Sequence, residues 1–212
     1  MNSSLSATEA LQRLREGNER FVQHVVSLDV LISHSRRAEQ AFAQKPFAII
    51  LGCSDSRAPA EFIFDQGLGD LFVIRVAGNI AAPSQIGSIE FAVERFGIKL
   101  VVVLGHSNCG AVRATIEHCR HPVDASSGLH AIVDRISPAI LPVLNLCGCK
   151  STDDIMPQAV RANVRATVNI LKSASLLLEE KQGKEGLLIV GADYDLMSGK
   201  VDFFQGLPFP KN

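Results

Sequence analysis

Four stretches of the chain are apolar almost without interruption: Pro46 to Gly52 (PFAIILG), Leu71 to Val76 (LFVIRV), Ile98 to Gly105 (IKLVVVLG) and Leu187 to Ala192 (LLIVGA). Short runs of this kind, rich in Val and Ile, predict strands buried on both faces, as parallel sheets require. Between them the spacing becomes helical. Ser84 to Phe96 carries Ile86, Ile89, Phe91, Val93 and Phe96 with polar residues between, and Met156 to Glu180 keeps apolar residues at helical intervals over a long run. The alternation predicts an α/β fold with a mainly parallel four-stranded sheet flanked by helices. Lys200 to Gln205, after the Met197-Ser198-Gly199 turn, predicts a further strand pairing antiparallel at an edge.

Ahead of the first strand, residues 6–25 place Ser6 and Glu9 in S-x-x-E spacing, followed by Leu11, Leu14, Phe21, Val22 and Val25. This predicts an amphipathic helix with a capping box. It opens an N-terminal helical arm, residues 1–40, that is expected to pack on a neighbouring subunit, docking on its own domain being the alternative. Cys119 to Asp154, with Pro122, Pro138 and Pro142, is expected to be the least regular stretch. No linker or composition shift divides the 212 residues, so a single domain, 1–212, is expected.

A formal net charge of -1, with no dense Lys/Arg run, argues against nucleic acid or an anionic membrane as partner. Met1 to Phe21 is studded with Glu9, Arg13, Arg15, Glu16, Glu19 and Arg20 and lacks the apolar core of a signal peptide. No run approaches the roughly 20 apolar residues of a membrane span. The expected location is the cytoplasm. There, five cysteines point to metal ligation, redox chemistry or core packing rather than to a disulfide framework.

Two short motifs carry the chemistry, and each ends a predicted strand: Cys53-Ser54-Asp55-Ser56-Arg57 and His106-Ser107-Asn108-Cys109. Ligands of open parallel sheets bind beyond the carboxyl ends of the strands, so both motifs converge if strands one and three are neighbours. Cys53, His106 and Cys109 then offer two thiolates and an imidazole. Three such ligands are a catalytic zinc set, because the fourth tetrahedral position stays open. Cys109, at the start of a helix, has its thiolate favoured by exposed N–H groups and the helix dipole. Arg57 can hold Asp55 beside the metal in a bidentate pair, leaving Asp55 to accept a hydrogen bond near the metal or to swing onto it.

With these motifs the sequence resembles the β-class carbonic anhydrases. The likeness runs from Glu16-Gly17-Asn18-Glu19-Arg20-Phe21 through both motifs and the Gly67 to Asn79 stretch (GLGDLFVIRVAGN) to Gly110. It implies reversible hydration of carbon dioxide to bicarbonate and a proton by zinc-bound hydroxide, with one Zn2+ per subunit on Cys53, His106 and Cys109. It also implies a catalytic dyad of Asp55 and Arg57. Gln44, Phe72, Ala77, Phe91 and Gly110 match substrate-binding positions. The family forms dimers or larger multiples, so a homodimer or tetramer is implied, with several of these residues serving the neighbour's zinc. Two thiolates give the metal more charge than imidazoles do, which predicts activity climbing on the alkaline side. Some members also carry an inhibitory bicarbonate site of tryptophan, arginine and tyrosine. Arg75 and Tyr194 match two of its positions, but Ile50 stands at the third and the chain has no Trp.

Other readings make different predictions. Enzymes of this fold that hydrolyse carbon disulfide or carbonyl sulfide differ in substrate, and a catalytically silent bicarbonate-binding protein would need neither Asp55 nor Arg57. His118-Cys119-Arg120-His121 with Cys147-Gly148-Cys149 would make a second metal site only if an irregular stretch brought them together. A redox role for Cys147 and Cys149 predicts thiol changes without metal.

Overall fold

The computed structural model describes residues 5–28, 30, 41–122, 126–146 and 151–208. Five strands, β1 (Ala48–Gly52), β2 (Leu71–Arg75), β3 (Leu100–His106), β4 (Leu188–Tyr194) and β5 (Val201–Gln205), form one sheet in the order β2-β1-β3-β4-β5. The first four pair in parallel and β5 runs antiparallel to β4, as the hydropathy pattern predicts. Strands β1 and β3 are wholly buried, which explains their unbroken apolar sequence. Strand β2 lies at the edge and is only half-buried, a difference its composition does not reveal.

Described helices are α1 (Ala7–Val22), α2 (Ala60–Ile63), α3 (Pro83–Phe96), α4 (Gly110–Arg120), α5 (Ser127–Leu146), α6 (Thr152–Lys172) and α7 (Leu176–Lys184). The expected run from Met156 to Glu180 is two helices, broken where Ser175 turns extended and accepts from the Leu178 N–H to cap α7.

Helix α1 begins with the predicted capping box between Ser6 and Glu9. In the described chain it docks on its own domain. Ala10, Leu11 and Leu14 enter a cluster with Phe47, Ile63, Phe64, Tyr194 and Phe203. Each fully buried Leu contributes roughly 1.5–3 kcal/mol. Close approach is possible because position 17 is a glycine: a Cβ on Gly17 would stand 1.8 Å from the Phe64 carbonyl oxygen. Asn18 then donates to the Ile63 and Gly199 carbonyls and accepts from the Val201 N–H. Residues 31–40 of the arm lie outside the described residues.

The stretch expected to be least regular contains the 20-residue helix α5, with Pro138 and Pro142 inside it. Both prolines sit on its exposed side, so the carbonyls four residues earlier that lose an N–H donor can meet water. Val133, Ile136 and Ile140 form its buried stripe and join α4 and α6 in a cluster around the carboxyl ends of the strands. By length and composition α5 is the one described helix that could cross a membrane. Its stripe of Val133, Ile136 and Ile140 docks on this domain, and Asp134 and Arg135 interrupt its apolar surface.

Candidate metal centre

Strand β1 ends at Gly52 and strand β3 at His106, and their parallel pairing sets Gly52 opposite Leu104. Cys53 and His106 therefore emerge at the same end of adjacent strands. Asn108 adopts a left-handed backbone (φ 55°), which turns the chain so that Cys109 becomes the N-cap of α4. The ligand atoms of Cys53, His106 and Cys109 all lie within 4.8 Å of one another, and all three residues are buried. The sulfurs are 4.0 Å apart. Tetrahedral zinc with Zn–S bonds of about 2.3 Å sets two sulfurs about 3.8 Å apart, so the spacing fits that ion.

His106 supplies the sharper test. Its Nδ1 lies 2.9 Å from the Ser107 carbonyl oxygen, a contact that fixes the N–H there and leaves the Nε2 lone pair free. Nε2 is buried without a hydrogen-bond partner. An orphaned buried nitrogen is costly, and facing two sulfurs it suits a metal that supplies the missing partner.

The charges agree. The Cys109 thiol hydrogen-bonds Cys53 and pulls its pKa down to about 4 against the effect of burial, with help from His106 and the Gly78 N–H 3.4 Å away. Sharing that bond and being buried push Cys109 up, opposed by the Val112 and Ala111 N–H groups at the start of α4. The first proton of this pair is therefore easier to remove than the second. Burial disfavours a charged His106, but the Cys53 thiolate, the Ser107 carbonyl and the Asp55 carboxylate together outweigh it and raise the imidazole.

Asp55 and Arg57 form the expected pair, with Nε and Nη2 donating to the two carboxylate oxygens at 2.9 and 2.8 Å. Arg57 thereby holds Asp55 well below the usual carboxylate range. The Asp55 Oδ2 atom lies 3.9 Å from His106 Nε2, so the carboxylate borders the ligand cluster. A 3-10 turn, Ala77–Asn79, comes after β2; Gly78 (φ 70°) presents its N–H to Cys53, and a Cβ there would stand 2.6 Å from Ile136 Cδ1. Asn163 of α6 donates to the Gly78 carbonyl at 2.8 Å and anchors the turn.

Of the expected substrate positions, Ala77 and Gly110 adjoin the cluster through this turn and the start of α4. The other three do not. Gln44 precedes β1, and Phe72 is paired with Ile49, four residues before Cys53, or about 13 Å along the strand. Phe72 meets Phe91 and Phe96 of α3 at ring distances of 6.3 and 6.1 Å. Gln44 lines a cavity of about 460 Å³ with Lys45, Phe47, Arg95 and Phe96, at the amino ends of β1 and β3.

Arg75 and Tyr194 do not meet as an anion site. Arg75 donates to the carbonyls of Cys53, at 2.9 Å, and Asp55, whereas Tyr194 is buried against Phe21 of α1. His118 stacks edge-on with His130 and Cys119 faces Ser137 Oγ, while Cys147 and Cys149 lie outside the described residues. Among the described residues only Cys53, His106 and Cys109 form a group able to hold a metal.

Residues 48–201 match the family model described as carbonic anhydrase. The chain belongs to the β-carbonic anhydrase family. Carbonic anhydrase 2 of Mycobacterium tuberculosis is 39% identical over 195 residues, covering 90% of this chain and 89% of that protein. A carbonic anhydrase of Mycolicibacterium smegmatis is 38% identical over 193 residues, covering 91% of each. Among solved structures, a β-carbonic anhydrase of Aspergillus fumigatus matches with a TM-score of 0.74 and 25% identity over 95% of this chain and 91% of its own. That of Coccomyxa, in complex with acetazolamide, matches with a TM-score of 0.71 at 25% identity, over 92% and 86% of the two chains.

Proposed function

We propose that this chain catalyses the reversible hydration of carbon dioxide to bicarbonate and a proton, with one zinc ion held by Cys53, His106 and Cys109. The observation that carries this reading is the buried, unpartnered His106 Nε2 facing two sulfurs 4.0 Å apart, in a member of this family. When bound, zinc supplies a Lewis acid that makes water nucleophilic near neutral pH.

The chain's own residues do the rest. The two thiolates hold the ion and, by the charge they donate, move activity toward the alkaline side. Ser107 keeps Nδ1 protonated and Nε2 directed at the ion. Asp55, fixed by Arg57, accepts a hydrogen bond at Oδ2 and so orients the attacking water. Ala77 and Gly110 border the space where carbon dioxide sits.

Gln44, Phe72 and Phe91 act on the neighbour's ion in a homodimer or tetramer. Their distance from their own cluster supports this, as do the exposed Phe91 and Phe42, 53% and 95% accessible. A reducing compartment such as the cytoplasm suits thiols this close, which oxidation would cross-link.

Stripping metal with a chelator and restoring it tests the reading. Hydration should disappear and return with one equivalent of zinc per chain. Stripped protein that hydrates carbon dioxide at the original rate would refute it, and faster turnover of carbonyl sulfide or carbon disulfide would move the assignment to those substrates.

A further inference from the structure

Arg75 ends β2 opposite Gly52, and its guanidinium reaches across to the segment that carries the metal centre. Nε donates to the carbonyl of Cys53 at 2.9 Å and Nη2 to the carbonyl of Asp55. Among the described residues it makes no ion pair, so its donors go to main-chain acceptors, an unusual use for a guanidinium whose fork suits carboxylates. The Asp55 carbonyl accepts a second bond, from the Ala58 N–H, and the Gly52 carbonyl accepts from Val76 N–H. The Gly52–Cys53, Cys53–Ser54 and Asp55–Ser56 peptide groups are therefore tied to β2 and the residue after it. The Asp55 carboxylate has two destinations within reach: Arg57, which it occupies, and the ligand cluster, with Oδ2 3.9 Å from His106 Nε2. Which one it takes depends on how its own backbone is held.

We infer that Arg75 is a positioning residue: by gripping the Cys53 and Asp55 carbonyls it keeps the Asp55 carboxylate on Arg57 and off the metal. This rests on the reading of Cys53, His106 and Cys109 as metal ligands. A side chain that fixes a backbone geometry acts only through the group it positions. Removing Arg75 therefore frees the loop to rotate, and the Asp55 carboxylate competes for the open coordination position. The chain then carries its metal in a closed form.

The test uses purified holoenzyme, with cobalt in place of zinc for spectroscopy, and compares Arg75→Ala, Arg75→Lys, Asp55→Asn and the Arg75→Ala/Asp55→Asn double variant. Metal per chain, measured first on wild type, separates the two readings: a wild type that binds no metal overturns the ligand assignment itself. With metal bound, Arg75→Ala should keep its metal, lose about tenfold or more in kcat, and shift its cobalt absorption in the direction expected for an added carboxylate oxygen. Arg75→Lys, which keeps a cation and one donor, should recover part of that loss. In the Asp55→Asn background Arg75→Ala should cost little more and should not move the cobalt spectrum. Multiplicative losses, an unchanged cobalt spectrum in Arg75→Ala, or a loss that tracks missing metal would overturn the proposal.

Discussion

At the carboxyl end of the sheet Cys53, His106 and Cys109 are buried, and neighbouring groups from β2, the Ala77–Asn79 turn, Ser107 and α4 are directed at them. At the amino end Gln44 is exposed, Phe91 is half-exposed, and a cavity lies between cationic and aromatic side chains. The first end is preorganised within a single chain, as a metal site must be, because misplaced ligands lose affinity quickly. The second has the composition of a surface that another copy completes, with aromatic residues around an unfilled space. In the function we propose, the carbon dioxide pocket would draw its metal from one copy and part of its walls from the next.

The largest expected effect comes from the carboxyl end. Cys109→Ser removes a thiolate ligand and should lower both zinc per chain and hydration, the latter by at least about 10³-fold, because the metal chemistry has no substitute in the chain. Atomic absorption and stopped-flow hydration on the same sample measure both. Gln44→Ala, at the amino end, should retain full zinc and lose about 10²–10³-fold, the usual cost of one polar transition-state contact. Mixing the two variants under refolding sharpens the comparison. In a mixed dimer one site pairs an intact metal centre with an intact Gln44, so hydration should recover to well above that of either variant. No recovery would place Gln44 with its own chain's ion.

Smaller effects fall on stability. Gly17→Ala forces a Cβ into the Phe64 carbonyl and should destabilise by about 1–3 kcal/mol, read as a lower midpoint in urea. Asp193, register partner of Gly105 on β3, has a buried Oδ1 atom without a hydrogen bond, and burial raises its pKa from 3.8 to about 6 despite Arg161. A carboxyl raised on folding binds its proton more tightly in the native state, so its contribution is complete below pH ~4 and is lost as pH rises through about 6. Asp193→Asn should therefore raise Tm at pH 8 and leave it unchanged at pH 4, by calorimetry.

Much of the metal end was legible in the sequence because its ligands come directly after apolar runs. A strand announces itself by local hydropathy, and the residues just beyond its last apolar position stand at the sheet's carboxyl edge. Asp55 and Arg57 were legible for the same reason, being two and four residues beyond Cys53. Arg75 was not: its sequence neighbours mark it as a strand residue, and its bonds cross to a segment 20 and 22 positions away. The Asn163 contact with Gly78 spans 85 residues and leaves no local trace. Pro138 and Pro142 signalled a break that their four-residue spacing on one exposed face does not impose. The docking of α1 on its own domain depends on Gly17 and Asn18, small and polar residues whose partners are far along the chain.

Zinc content and carbon dioxide hydration measured together on wild type and Cys53→Ser test the central claim most directly. Wild type should hold one zinc per chain and turn over faster as pH rises from mildly acidic to alkaline, while Cys53→Ser should lose zinc and turnover in proportion. Wild-type protein that hydrates carbon dioxide without zinc, or a Cys53→Ser variant that keeps full turnover, would contradict it.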